Sequence, residues 1–213
     1  MTAVMLATYP EMFAAGAVIA GLAYGSASSM TEAFGAMSGG TQRSASLWGD
    51  HVRDASSHES AWPTISIWHG TQDATVRPAA GEALLQQWID VHDVAGGPET
   101  AITPDGRAYE VWSTPDERPV VEMHRISGMA HGTPLKTDDA GTAGAFLLDV
   151  GVSSSLEIAR TWGLASAAPQ KARKVAGREA RATVLREEIV APVPANPITA
   201  VIENALRTAG LMR

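Results

Sequence analysis

The stretch Trp62-Pro63-Thr64-Ile65-Ser66-Ile67-Trp68-His69-Gly70-Thr71-Gln72-Asp73 decides the fold of this chain. β-Branched and aromatic residues fill 62–68, and the run is bounded, as a buried strand should be. It ends in the turn His69–Asp73. Downstream, Pro78 to Val91 places Leu84, Leu85, Trp88 and Ile89 at helical spacing. Arg107 to Trp112 and Pro119 to Ile126 read as two strands joined by Thr114-Pro115-Asp116-Glu117. The second strand leads into Gly128-Met129-Ala130-His131-Gly132.

Upstream, residues 1–8 read as a helix stopped by Tyr9-Pro10, because proline cannot continue it. Ala14 to Leu22 is apolar throughout, which predicts a strand covered on both faces. Short helices are expected near Met30–Met37 and Leu47–Arg53, a polar loop over 134–144, and a helix from Ser153 to Trp162 capped by Ser153 or Ser154. This order of strands and helices fits part of an α/β fold, a mostly parallel sheet with helices on both faces. Two segments are expected: 1–164, and a basic, Pro-containing extension over 165–213 whose last helix starts at Asn196-Pro197.

Composition narrows the function. At 213 residues with 45% apolar content the chain can bury a sizeable core. It has no cysteine, so disulfides, thiolate metal sites and cysteine nucleophiles are excluded. Residues 1–164 carry 8 basic and 19 acidic side chains, a net of −11, which disfavours nucleic acid as a partner. The basic run Lys171 to Arg181 reads as a solvated face, since Glu179, Glu187 and Glu188 accompany it. No run is long and uncharged enough to span a bilayer, and residues 1–7 lack a basic signal-peptide start. His51, His58, His92 and His124 are scattered without metal-ligand spacing, so neither a metal nor a cofactor is expected.

The chemistry concentrates in the two turns that follow strands. Asp73 can orient a histidine and stabilise its imidazolium; by itself it reads rather as a cap for the helix at Pro78. His131, between glycines, can shuttle a proton; by itself it reads equally as a surface loop residue. Together, in the order acid then histidine, they match the last two members of the α/β-hydrolase triad. His69 is expected to pack or hydrogen-bond inside the Asp73 turn. The third member should lie earlier, on a G-x-S-x-G turn, and the 213 residues contain none. Ser26, Ser28 and Ser29 lack small residues at the spacing that strained turn needs, so they read as loop-filling residues.

Several blocks resemble one family. Met1–Ala14 is similar to the helix after the nucleophile turn in the poly(3-hydroxybutyrate) depolymerase family of esterases, which includes feruloyl and acetylxylan esterase-like members. Ala20–Gly25, Trp62–Val76, Gly128–Pro134, Ala145–Ser154 and Ile158–Gly163 resemble that family's later blocks. The resemblance covers about 1–164 and implies a partial α/β-hydrolase fold plus a C-terminal helical extension. It implies a serine-triad carboxylic-ester hydrolase, with Asp73 as orienting acid and His131 as general base. It further implies a serine just before Met1, an extracellular location, and loss of a disulfide whose cysteines would stand at Ser26 and Ser113. Polyesters, feruloylated polysaccharides and small esters all remain open as substrates. Two expectations follow: a fragment inactive by itself, or a truncated relative acting as a binding or interaction module.

Overall fold

The computed structural model describes residues 1–165, apart from 41, 105 and 138–140. The extension expected over 165–213, with its helix from Asn196, therefore lies outside the described residues beyond Ala165. Five α-helices are described, α1 (Thr2–Thr8), α2 (Met30–Met37), α3 (Ala45–Arg53), α4 (Pro78–Val91) and α5 (Ser154–Thr161), with one short 3-10 turn at Pro10–Met12. The strands are β1 (Ala15–Ile19), β2 (Thr64–Gly70), β3 (Glu99–Ile102), β4 (Ala108–Ser113), β5 (Pro119–Ile126), β6 (Thr133–Leu135) and β7 (Leu147–Asp149).

The main sheet runs β1-β2-β5-β4-β3. β1, β2 and β5 are mutually parallel, Ile67 lying opposite Val18 on one side and Met123 on the other. β4 and β3 then extend the sheet antiparallel, with β4 beside β5. The expected α/β architecture, a mixed sheet with helices, is what forms. β2 is buried from Ile65 to Gly70 because it is central. β5 sits inside the sheet as well, and buries Val120, Val121, Met123, His124 and Ile126.

The core lies between the sheet and the helices α1, α3 and α4. Leu6, Trp48, Ile65, Ile67, Leu84, Trp88, Val121 and Met123 are all essentially water-free, and each such large apolar side chain stabilises the fold by roughly 1.5–3 kcal/mol. Close approach is built into the sequence at Gly16, where a Cβ would stand 2.5 Å from Leu6, and at Gly49, where it would stand 2.0 Å from the Asp90 carboxylate on α4. A smaller cluster, Trp68, Ile126, Met129 and Val152, lies under the ends of β2 and β5.

Two local expectations are corrected, and one strand appears where none is expected. β1 is not covered equally on both faces: buried and half-buried residues alternate along it, because successive side chains point to opposite faces and one face is less covered among the described residues. The polar stretch from Pro134 is not all loop. Thr133–Leu135 pairs parallel with Leu147–Asp149 in a two-stranded sheet, and tertiary pairing rather than local pattern creates both strands. Glu99–Ile102 is a strand that its exposed, weakly alternating residues do not announce.

Candidate active site

β2 and β5 are parallel neighbours, so their C-terminal ends emerge side by side. The turn after each meets the other at that edge of the sheet, where open α/β sheets hold their ligand sites. Four hydrogen bonds stitch the two turns together. Thr71 N donates to Ile126 O at 3.0 Å, Gln72 N to Met129 O at 3.0 Å, and Gly128 N to the Thr71 hydroxyl at 2.9 Å. The fourth joins the two residues singled out from sequence: His131 Nδ1 lies 2.8 Å from Asp73 Oδ2.

Gly70 makes this approach possible. A Cβ there would stand 2.2 Å from Met129 O and 2.8 Å from Ala130 O, contacts no side chain tolerates. Gly128 turns the chain with φ of 72°, a conformation suited to glycine. Met129, 1% exposed, anchors the His131 turn in the small cluster below.

The Asp73 side chain is fully buried, and both its oxygens are used. Oδ1 accepts from Thr75 N at 2.9 Å and Val76 N at 2.8 Å. Oδ2 faces His131. The helix-cap reading of Asp73 is corrected: the residue before α4 is Arg77, with no side-chain cap, and Asp73 instead closes its own turn. Because a carboxylate accepts, His131 Nδ1 carries the proton and Nε2 holds the lone pair. The His131 ring is partly exposed and packs edge-on to Phe146, centroids 6.2 Å apart.

His131 borders an open cavity of about 560 Å³. Its other walls are the start of α1 (Met1, Ala3, Val4), the segment 20–27 after β1, Met37 and Val76. No charged side chain lines it. Gln87, fully buried on α4, holds the loop wall. It accepts from Tyr24 N at 2.8 Å and donates to Tyr24 O at 3.0 Å and Trp48 O at 2.8 Å. Sequence reading missed Gln87; a polar residue within the apolar pattern of α4 was the only signal.

Ser26 also borders this cavity. Ser28 and Ser29 belong to the cap of α2: Ser29 Oγ accepts from Glu32 N, and the Glu32 carboxylate accepts from Ser28 N and Oγ. His69 sits inside the Asp73 turn, 2.8 Å from Val76 O. His124 lies elsewhere, stacked between Trp68 and Tyr109 and within 3.1 Å of Arg107, and burial outweighs Glu122 to pull it below the usual histidine range. Among the described residues no group of three or more His, Asp or Glu is placed to hold a metal ion. None of their helices is long and apolar enough to cross a membrane.

No known family profile matches the chain. It is 41% identical over 169 residues to a poly(3-hydroxyalkanoate) depolymerase C of Paucimonas lemoignei, covering 77% of this chain and 41% of the relative. It is 36% identical over 142 residues to an acetylxylan esterase of Coprinopsis cinerea, covering 63% and 37% respectively. Among solved structures, an acetyl xylan esterase from Aspergillus awamori aligns with a TM-score of 0.51 at 26% identity over 61% of this chain and 49% of that one. A PHB depolymerase solved with an R3HB trimer shares the fold, with a TM-score of 0.52 at 18% identity over 77% of this chain and 47% of that one. The chain thus spans less than half the length of each of these relatives. The chain is thus a homologue of poly(3-hydroxyalkanoate) depolymerase C and of acetylxylan and feruloyl esterases.

Proposed function

We propose that Asp73 and His131 are the acid and base of a serine-type carboxylic-ester hydrolase. The observation that carries this reading is the 2.8 Å bond from His131 Nδ1 to the fully buried Asp73 carboxylate, at the rim of the open cavity. With Nδ1 committed to Asp73, Nε2 is free to take the proton of a serine hydroxyl as it attacks the ester carbonyl. The imidazolium then formed faces a carboxylate, which stabilises it. It returns the proton to the departing alkoxide, and later activates water against the acyl-enzyme in the same way. The uncharged walls suit a neutral ester.

The 213 residues contain no G-x-S-x-G turn, so by themselves they carry out no acyl transfer. A fluorophosphonate probe therefore leaves the chain unlabelled; stoichiometric labelling of Ser26, Ser28 or Ser29 would overturn the assignment. Joined at Met1 to the nucleophile-bearing part of its Paucimonas relative, the chain hydrolyses p-nitrophenyl esters. In that fusion His131→Ala lowers kcat on the order of 10⁴-fold. Asp73→Asn costs somewhat less and His124→Gln little. Equal losses at 124 and 131 would mean that the wrong histidine carries the chemistry. A folded but inactive fusion would favour the binding-module reading.

A further inference from the structure

We infer that His69 is a positioning residue for Asp73, holding the carboxylate in the orientation that meets His131; the inference rests on the reading of Asp73 and His131 as an acid–base pair. His69 is the penultimate residue of β2 and only 2% exposed. Its Nε2 lies 2.8 Å from Val76 O. A carbonyl oxygen only accepts, so this nitrogen carries the ring proton. Nδ1 makes no hydrogen bond and faces Gly81 on α4, where a Cβ would stand 2.7 Å from it. The ring is clasped between Val76 and Gly81 with its one proton aimed at the turn.

Val76 is the residue on which that turn closes. Its N–H donates to Asp73 Oδ1 and its carbonyl accepts from His69. One peptide residue is thereby held from both sides, and the carboxylate plane with it. The His69 Nε2 also stands 3.7 Å from Asp73 Oδ2, the oxygen that meets His131. That separation is too long for a hydrogen bond, but the N–H dipole favours negative charge on that oxygen. Without the donor, the Val76 carbonyl loses its partner, the turn loosens, and Oδ2 is no longer fixed toward Nδ1. A histidine that only filled space would be replaceable by an apolar side chain of similar size.

The full 213-residue chain tests this without requiring activity. The readout is the hydrogen-bonded Nδ1 proton of His131 in a sample labelled with ¹⁵N-histidine, and its rate of exchange with solvent. Parent protein shows the signal and Asp73→Asn loses it. His69→Leu loses it or exchanges about tenfold faster, the equivalent of one hydrogen bond. His69→Gln, whose side-chain amide reaches Val76 O, restores it to within about threefold of the parent. A folded His69→Leu with parental exchange, while Asp73→Asn loses the signal, overturns the positioning role and leaves the acid–base pair standing. Retention of the signal in Asp73→Asn overturns the pair itself. If His69→Leu does not fold, His69→Gln decides: a folded variant without the signal overturns the inference.

Discussion

Asp73 illustrates how much one buried side chain can be asked to do. One oxygen closes a turn rather than capping α4, and the other is left to face a histidine. The residue that permits the encounter is Gly70. Gly70→Ala must push the Met129 carbonyl away by more than 1 Å from its present place, which no rotamer change can absorb. A loss of about 2 kcal/mol or more is expected, with loss of the His131 Nδ1 proton signal. Gly96→Ala, with nothing near its would-be Cβ, is the control and should stay within about 0.5 kcal/mol. Urea denaturation of the two variants checks both.

At the scale of elements, α4 does more than cover the sheet. Gln87 from its buried face binds the Tyr24 peptide on both sides, as a neighbouring strand would, and reaches Trp48 O. Gln87→Leu removes the partner of the Tyr24 N–H and of the Tyr24 carbonyl, at roughly 2–4 kcal/mol. Hydrogen exchange at the Tyr24 amide should rise by more than the global loss of stability explains, since the cavity wall loosens first. The helix ends at His92, whose ring lies 3.1 Å from Pro63 O. Burial, aided by the Arg118 charge, pulls His92 from 6.5 down to about 4. Above pH 6.5 the ring is neutral folded or unfolded, so nothing is lost. Below it the unfolded chain takes the proton first, and stability falls between about 6.5 and about 4, by at most ~3 kcal/mol from this group. His124, lowered in the same direction by burial, adds to the fall. His92→Gln should flatten the pH dependence of the urea midpoint in that window, and an unchanged slope would refute the assignment.

For the described molecule as a whole, the two edges of the main sheet differ. β3 is short and carries Glu99, while β1 is neutral and apolar, and among the described residues no strand pairs with its free side. Met1, Met12 and Phe13 are exposed nearby, and an apolar groove of about 510 Å³ runs along the same edge between α1 and α5. Unpaired backbone groups beside apolar surface are a template for association. The 213-residue chain is expected to elute above its monomer mass and to bind a hydrophobic dye. Phe13→Lys, at the entrance to β1, should shift it toward monomer. A monomeric parent with cooperative melting above about 60 °C would show that this edge is protected.

Sequence alone determined the elements with strong local signals. The helix over 78–91, the strand over 119–126 and the helix over 30–37 fall where periodicity and Gly or Pro punctuation put them, and Ser153 caps α5 as expected. It also determined the pair Asp73 and His131 as candidates, since turn chemistry and chain order are local information. Only the tertiary structure decided that they touch, because 58 residues separate them and the contact exists through parallel pairing of β2 with β5 and the missing Cβ of Gly70. The same holds for β3, β6 and β7, which form by pairing with partners rather than by propensity. It holds as well for Gln87, an ordinary buried polar residue in the sequence whose meaning lies in the carbonyls and the amide that other segments bring to it. Local patterns record what a segment does by itself, whereas a buried polar group is satisfied by whatever the fold sets against it.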